Sequence, residues 1–295
     1  NYGNVIVSAV GTPQYIVVNG NLPPTWNNYG TFTRSAGTVF YFQGAYVNNS
    51  GLMDVQQGNL SIYGSTFTNN GVINVSANSQ FLSENNSAVT FSPASQITAP
   101  TLNSIRLGGA SAYLQSTNVI SPSIWLQAGT LYQQTNIVVA ALNMSGGYLQ
   151  LDVPGTLAQL NQTNGGVQGR NLTVTNWNWY DGYHARGTPG INNQDDRTII
   201  PAGGVMNLLG TANHLLTYYS GNGPSRTLDN FGTINWLGNA LLQSYGTVNN
   251  YGNVIVSAVG TPQYIVVNGN LPPTWNNYGT FTRSAGTVFY FQGAY

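Results

Sequence analysis

Charged residues are scarce in this 295-residue sequence, and lysine and cysteine do not occur at all. Asp, Glu, Lys and Arg together make up 5% of the residues, against about 25% in a typical soluble domain, and the formal net charge is zero. A protein without net charge tends to associate, because electrostatic repulsion does not keep its copies apart. The composition therefore favours a protein that assembles. It also excludes the basic surface that binding to nucleic acid requires.

Long apolar runs are absent as well. The longest, IVVAAL at residues 137–142, is far shorter than the roughly 20 residues of a membrane-spanning helix, so no such span is predicted. Without cysteine the sequence excludes disulfides and thiol chemistry. Hydrophobic residues nevertheless amount to 41% and aromatic residues to 12%, which is enough apolar surface to drive folding.

The sequence repeats its own beginning. Residues 1–46 recur without a change at residues 250–295, an offset of 249 positions. We interpret residues 1–249 as one module of a tandem array and residues 250–295 as the start of the next identical module. On this interpretation the sequence is a segment of a longer array, in which each module continues directly into the next.

A shorter period of about 20 residues runs through the module. Its marker is an apolar residue followed by Asn two positions later and by Gly two positions after that, as in Trp26-Asn28-Gly30. After each marker, apolar and polar residues alternate over short stretches bounded by turn-forming residues, which is the pattern of short β-strands. The Asn and Gly of the markers are Asn28/Gly30, Asn49/Gly51, Asn69/Gly71, Asn230/Gly232 and Asn250/Gly252.

Stacking of these repeats predicts the fold. A repeat of about 20 residues cannot bury an apolar face by itself, so its neighbours have to cover that face. We therefore expect an all-β protein, a right-handed parallel β-solenoid (β-helix) with about 20 residues per rung, about 12 rungs per module and uncapped ends. A rung is one full coil of the solenoid, and equivalent residues of successive rungs lie about 4.8 Å apart.

The marker residues are predicted to form columns at one corner of the solenoid. Like charges stacked at the spacing of adjacent strands repel, whereas stacked Asn side chains can form a ladder of hydrogen bonds. We expect Asn28, Asn49 and Asn69 to form such a ladder, and the Gly two positions later to allow a positive φ at the corner. The alternative is turn chemistry without a ladder, because Asn and Gly favour turns on their own.

Two segments depart from the pattern. Residues 3–30 contain three prolines, which cannot donate hydrogen bonds to a ladder, so we expect this segment to bulge outward. The second segment, WNWYDGYHARGTPGINNQDDR, covers residues 177–197 and concentrates aromatic side chains that could stack on sugar rings. In the alternative interpretation, one of its two tryptophans is a core residue of a strand. The possible ligand-binding residues are Trp177, Trp179, Tyr180, Tyr183 and His184.

The same segment contains the only candidate catalytic groups. Paired carboxylates could serve a polysaccharide-degrading enzyme on a β-helix, with a histidine as base and an arginine as oxyanion partner. We favour a polar loop with Asp in turns over an active site, and we expect His214 to be structural. No motif for a metal or a cofactor occurs, so none is expected. The candidate groups are Asp181, Asp195, Asp196, His184 and either Arg186 or Arg197.

The sequence of the repeats resembles that of a known class of protein. VNNSGLMDVQQGNLSIYGSTFTNNGVINVSANSQF at residues 47–81 is similar to the repeats of giant prokaryotic surface proteins and adhesins. Two later stretches are also similar to sequences that recur in those arrays. They are RTIIPAGGVMNLLG at residues 197–210 and RTLDNFGTINW at residues 226–236. The resemblance covers residues 26–91 and 164–256 well. It implies a right-handed parallel β-helix, secretion to the cell surface, and a role as stalk, filament or adhesin.

We therefore predict a structural module of a repetitive extracellular filament, stalk or surface fibre, of a kind found in biofilms. Its expected partners are further copies of itself, in the same chain or end to end, and it is expected to have no catalytic activity. Two alternatives remain open. The first is an adhesin that binds glycans or cell-surface polysaccharide through the aromatic loop at residues 177–197. The second is a polysaccharide-degrading β-helix enzyme.

Overall fold

Every regular element of the chain is a β-strand in the part that the computed structural model describes. This part comprises residues 1–17, 22–121, 123–136, 138–185, 196–212, 214–217, 226–239, 242–244, 246–259, 263–267, 274–286 and 288–292. It contains no helix that is long and apolar enough to cross a membrane. The chain divides into two compact units, Asn1–Asn143 and Met144–Tyr295.

The first unit is a parallel β-solenoid with three strands in each rung. Strands that are three apart in sequence order pair side by side, which gives the sheets β1-β4-β7-β10-β13-β16, β2-β5-β8-β11-β14-β17 and β3-β6-β9-β12-β15-β18. The strands are β1 (Asn4–Val7), β2 (Gln14–Val17), β3 (Thr25–Asn28), β4 (Thr31–Arg34), β5 (Val39–Gln43), β6 (Tyr46–Asn49), β7 (Leu52–Val55), β8 (Asn59–Tyr63), β9 (Thr66–Asn69), β10 (Val72–Val75), β11 (Gln80–Glu84), β12 (Ala88–Phe91), β13 (Gln96–Thr98), β14 (Ile105–Leu107), β15 (Ser111–Leu114), β16 (Asn118–Ile120), β17 (Ile124–Leu126), β18 (Thr130–Gln133) and β19 (Val138–Met144), whose last residue begins the second unit.

The second unit is also built from parallel strands, but one strand forks. The first part of the long strand β23 pairs with β25, and its second part pairs with β26. Beyond the fork the ladders are β25-β28-β31-β34, β26-β29-β32-β35 and β24-β27-β30-β33-β36. The strands are β20 (Tyr148–Leu151), β21 (Gly155–Gln162), β22 (Gly166–Gly169), β23 (Leu172–Trp179), β24 (Gly182–Ala185), β25 (Arg197–Ile200), β26 (Val205–Leu208), β27 (His214–Thr217), β28 (Thr227–Asn230), β29 (Thr233–Trp236), β30 (Leu242–Ser244), β31 (Thr247–Asn250), β32 (Asn253–Val256), β33 (Gln263–Val267), β34 (Thr274–Asn277), β35 (Thr280–Arg283) and β36 (Phe289–Gln292).

Alternation of side chains along the strands builds the core. In β4, β7 and β10 the paired residues Phe32, Met53 and Ile73 all point inward and are fully buried. Their neighbours on either side point outward, because successive side chains of a strand face opposite sides of the sheet. The all-β parallel solenoid predicted from the sequence is confirmed, with rungs of about 21 residues.

The bulge predicted for residues 3–30 is wrong for the middle of that segment. Strand β2 lies inside the segment and pairs in parallel with β5, from Gln14 beside Phe40 to Val17 beside Gln43. Pro13 comes directly before this strand, and Pro23 and Pro24 come directly before β3. The prolines therefore stand in connections, where the donor that they lack is not needed by a ladder.

Candidate functional site

Asparagine side chains form a hydrogen-bonded column along one corner of the first unit. The Nδ2 of Asn28 donates to the Oδ1 of Asn49 at 2.7 Å, and the Nδ2 of Asn49 donates to the Oδ1 of Asn69 at 2.6 Å. Asn1 extends the column by donating to Asn28 at 2.7 Å. The column ends where Phe91 takes the next position in register. Asn28, Asn49 and Asn69 are fully buried, so these bonds satisfy amide groups that water cannot reach.

The second unit repeats this arrangement. Asn230 donates to Asn250 at 2.7 Å, and Asn250 donates to Asn277 at 2.6 Å. A further ladder, which the sequence analysis missed, lies on partly exposed positions with donor–acceptor distances of 2.8–3.0 Å. The signal for it was present, because its members alternate with inward residues in four paired strands. They are Asn161, Asn178, Asn207 and Asn235.

The corner glycines serve close stacking and not a positive φ. A Cβ atom added to Gly51 would lie 2.1 Å from the carbonyl oxygen of Gly30, and one added to Gly71 would lie 2.1 Å from that of Gly51. Each corner therefore rests directly on the backbone of the previous rung, where a side chain has no room. The prediction of a positive φ is wrong for all five marker glycines, which are Gly30, Gly51, Gly71, Gly232 and Gly252.

The two copies of the repeated segment form the same strand pairs. In the first copy β1 pairs with β4, with Asn4 beside Thr31. In the second copy β32 pairs with β35, with Asn253 beside Thr280, each 249 positions further on. The pairing of β2 with β5 is reproduced in the same way by β33 with β36. The sequence of the segment therefore specifies its register in two separate surroundings.

The two copies are buried on opposite sides. Val254 in β32 is fully buried where β29 pairs with that strand, whereas the same residue in the first copy, Val5, is only half-buried in the edge strand β1. Conversely, Phe32 in β4 is fully buried beside β7, whereas its second copy, Phe281, is half-buried. The side of the segment that is more exposed in one copy is therefore buried in the other.

The aromatic segment predicted to bind ligand is largely core. Trp177 and Trp179 in β23 and His184 in β24 are fully buried, and the two indole rings stack with centroids 4.5 Å apart. The prediction of an exposed platform is wrong for these three residues, because both tryptophans occupy inward positions of the strand. Tyr180 is exposed and Tyr183 is half-buried, but they flank a core and form no surface with the tryptophans.

The buried histidine belongs to a chain of hydrogen bonds. The Nε2 of His184 lies 3.0 Å from the Oε1 of Gln162, and its Nδ1 lies 3.0 Å from the hydroxyl of Thr198. Because an amide oxygen only accepts, Nε2 carries the proton and Nδ1 accepts from the hydroxyl. The amide nitrogen of Gln162 donates to the Gly165 carbonyl at 3.1 Å, which fixes this orientation. Burial and the neighbouring Arg226 hold the pKa of His184 well below its usual value, so the imidazole is neutral.

Arg226 is a fully buried cation that joins several rungs. Its Nε donates to the hydroxyl of Thr198 at 2.7 Å, next to His184. Burial lowers the pKa of Arg226 to about 10, an effect that the nearby carboxylate of Asp196 partly offsets, so the side chain stays charged at neutral pH. Its two terminal nitrogens donate, over 2.8–3.2 Å, to the carbonyl oxygens of Gly169, Ala185, Arg170 and Arg197.

The other described candidate catalytic groups, and His214, which was predicted to be structural, are engaged or buried within the fold. Arg197 forms an ion pair with Asp229 at 2.7 Å, and the carboxylate of Asp181 accepts from the next backbone amide at 2.6 Å. Asp196 is buried, and His214 is buried with its Nε2 donating to a backbone carbonyl at 2.7 Å. No group of three or more His, Cys, Asp or Glu suited to a metal ion occurs within the described residues. Two candidates, Asp195 and Arg186, lie outside them.

A cavity that the sequence analysis missed lies on the outer face of the first unit. It has a volume of about 280 Å³ and is lined by Tyr15, Tyr41, Gln43 and Tyr63. These residues come from β2, β5 and β8, three successive strands of one sheet. The signal was the outward parity of Tyr41, which alternates with the buried Phe40 and Phe42.

Comparison with known proteins adds no assignment to this geometry. No protein-family model, curated protein or solved structure matches the chain. The functional argument is therefore built on the solenoid, its ladders, its repeated segment and the tyrosine-lined cavity.

Proposed function

We propose that the chain is a structural module of an extracellular filament, stalk or surface fibre, in which further copies continue the stack of rungs end to end. The single observation that carries this proposal is the behaviour of the repeated segment. One sequence takes the same register twice, and its two copies leave complementary sides exposed. Further rungs can therefore stack on either side of such a segment without any change in its strand pairing.

The low charge of the chain supports the same proposal. Residues in equivalent positions of stacked rungs lie about 4.8 Å apart, so a stack of like charges would be repelled along its whole length. Asparagine, which donates and accepts at once, can instead continue a column across any number of rungs. In the second unit the column runs from Asn230 into the repeated segment at Asn250 and on to Asn277.

The proposed role is mechanical and involves no catalysis and no cofactor. Support comes from the contacts of the polar groups that a polysaccharide-degrading site would need, because these groups bond to other residues of the fold. Arg197 is engaged by Asp229, and His184 is enclosed between Gln162 and Thr198. A location outside the cell is part of the proposal, since a fibre built from copies of this module would act at the cell surface.

Assembly of the purified 295-residue chain tests the proposal. In an end-to-end contact, the corner of Gly279 from one copy would lie beneath Gly3 of the next, as Gly3 lies beneath Gly30 within the chain. A Cβ atom at Gly30 would lie 2.0 Å from the carbonyl oxygen of Gly3, whereas one at Gly3 has no atom within 4 Å. Gly3→Ala should therefore leave the fold intact and block the contact.

Electron microscopy at increasing protein concentration provides the readout. We expect the wild-type chain to form filaments that lengthen with concentration and the folded Gly3→Ala variant to stay as short particles. The control is Ala94→Ser, at an exposed turn position outside the repeated segment, which should assemble as the wild type does. Wild-type chains that stay separate at every concentration, or a Gly3→Ala variant that forms equally long filaments, would refute end-to-end stacking.

A further inference from the structure

The outer face of the first unit carries a group of tyrosines that the core does not explain. Tyr15 is 51% exposed, and Tyr41 and Tyr63 are half-buried, so all three rings face solvent on one sheet. The rings of Tyr15 and Tyr41 stack with centroids 4.9 Å apart and planes 10° apart. The ring of Tyr63 stands at 90° to that of Tyr41, with centroids 5.9 Å apart, and closes one side of the cavity.

The register of the strands sets this shape. Tyr15 and Tyr41 are direct partners across β2 and β5, which places one ring on the other. In the next strand the partner of Tyr41 is the small residue Ser61, and Tyr63 stands two positions further on as the partner of Gln43. Tyr63 therefore stands two residues further along its strand than the partner position of Tyr41. As a result, the amide of Gln43 lies beside the tyrosine rings.

Polar groups in the cavity have no hydrogen-bond partner within the described part of the chain. The hydroxyls of Tyr15, Tyr41 and Tyr63 and the amide of Gln43 make no hydrogen bond to any described residue. A phenol hydroxyl donates and accepts, and an amide offers two donors and two acceptor positions, so together they match a ligand rich in hydroxyl groups. The tyrosine rings supply flat apolar faces next to these groups.

We propose that this cavity, lined by Tyr15, Tyr41, Gln43 and Tyr63, binds a neutral sugar residue of a polysaccharide. The sugar's C–H face packs on a tyrosine ring, and its hydroxyls bond to the phenols and to the Gln43 amide. A volume of about 280 Å³ accommodates one to two sugar rings at an open site.

Charge selects neutral over acidic sugars. Glu84 is the strand partner of Tyr63, and the Ser61 hydroxyl donates to its carboxylate at 2.7 Å. Burial raises the pKa of the Tyr41 phenol, and Glu84 raises it further, so the phenol remains a hydrogen-bond donor. A uronic acid or a phosphate would be repelled by this carboxylate.

The repeat gives the site a further property. Tyr264, Tyr290 and Gln292 stand in the second copy where Tyr15, Tyr41 and Gln43 stand in the first. A fibre of many modules would therefore present the same sugar-binding group at regular intervals. Binding to one long polysaccharide would gain from multivalency without any new contact.

Calorimetric titration with defined oligosaccharides tests the proposal on the 295-residue chain. The probes are the neutral hexasaccharides of β-1,4-glucose, α-1,4-glucose, β-1,4-N-acetylglucosamine and β-1,4-mannose, with hexagalacturonate as the acidic comparison. We expect saturable binding of at least one neutral probe and at least tenfold weaker binding of hexagalacturonate. Glu84→Gln should reduce this preference.

Variants locate the site. Tyr63→Ala and Gln43→Ala should each weaken binding of the neutral probe by tenfold or more without changing the circular dichroism spectrum. Tyr132→Ala is the matched control, because Tyr132 stacks on Tyr113 with centroids 4.7 Å apart on another sheet and should change affinity less than twofold. The proposal is overturned if no neutral probe binds saturably, or if Tyr132→Ala weakens binding as much as Tyr63→Ala does.

Discussion

Gly3 and Gly252 are the same residue of the repeated segment, yet they stand in opposite surroundings. A Cβ atom added to Gly252 would lie 2.1 Å from the carbonyl oxygen of Gly232, whereas one added to Gly3 would meet no atom within 4 Å. The contrast isolates the contribution of a preceding rung, since the local sequence around both residues is identical.

Substitution at these two positions should have unequal effects. Gly252→Ala should lower the free energy of unfolding by about 1–3 kcal/mol, the usual cost of forcing extra atoms into a packed site, because the corner must move away from Gly232. Gly3→Ala should change it by less than about 0.5 kcal/mol, as is usual for an unconstrained surface site. Urea unfolding of dilute protein measures both. Equal destabilisation by the two variants would contradict the close stacking of corners.

The buried asparagine column should be more important for stability than the neighbouring exposed asparagine pair, Asn27 and Asn48. Asn49→Ala removes bonds to Asn28 and Asn69 and leaves buried polar groups unsatisfied, which should cost about 2–4 kcal/mol for two such groups. Asn48→Ala, one residue away, removes only an exposed bond to Asn27 and should cost under about 1 kcal/mol. Urea unfolding compares the two. A cost for Asn49→Ala no larger than that for Asn48→Ala would show that the column contributes little.

Arg226 should be among the residues that the fold tolerates least when changed. Arg226→Met fills a similar volume but removes every donor to Thr198 and to four backbone carbonyls, so we expect a loss of about 3–5 kcal/mol or failure to fold. Arg226→Lys keeps the charge with fewer donors and should fall between the two. Thermal unfolding followed by circular dichroism ranks the three proteins. A Met variant as stable as the wild type would show that the network is dispensable.

Stability should decrease in mild acid because of His184. Its pKa in the folded protein lies well below the ordinary 6.5, chiefly through burial and also through Arg226, so the unfolded chain takes up a proton first. The contribution is therefore present above pH 6.5 and is lost as the pH falls below that value, with a slope approaching about 1.4 kcal/mol per pH unit.

Urea unfolding at several pH values between 5 and 8 measures this loss. His184→Gln, which cannot titrate, should be less stable at neutral pH but should show a smaller decrease in acid. If the variant and the wild type lose stability in parallel, protonation of His184 is not the cause.

Alternation in the sequence was sufficient to predict the strands but not the position of every corner. In β23 the inward parity changes between Val174 and Trp177, where the strand passes the fork between β25 and β26. If every second residue after Val174 is counted as inward, Trp177 and Trp179 fall on outward positions. Both tryptophans could therefore be taken for surface residues. The fork depends on pairing with later strands, and local sequence does not contain it.

At the corner, the sequence was sufficient to predict the asparagine column but not the role of the glycines. The recurrence of Asn28, Asn49 and Asn69 at one rung's spacing indicates a column, because stacking is a property of the period itself. The role of Gly51 depends on how closely its backbone approaches that of Gly30, which is a tertiary distance. Burial of Arg226 likewise requires carbonyls up to 57 residues away, which no local pattern can indicate.

Fibre diffraction from aligned assemblies of the purified chain tests the central claim most directly. If copies continue one parallel solenoid, the strands run across the fibre, and a reflection near 4.8 Å should lie on the meridian. Gly3→Ala, which should block the contact between copies, should give no oriented pattern under the same conditions. A 4.8 Å reflection on the equator, or wild-type protein that yields only separate particles, would contradict the account.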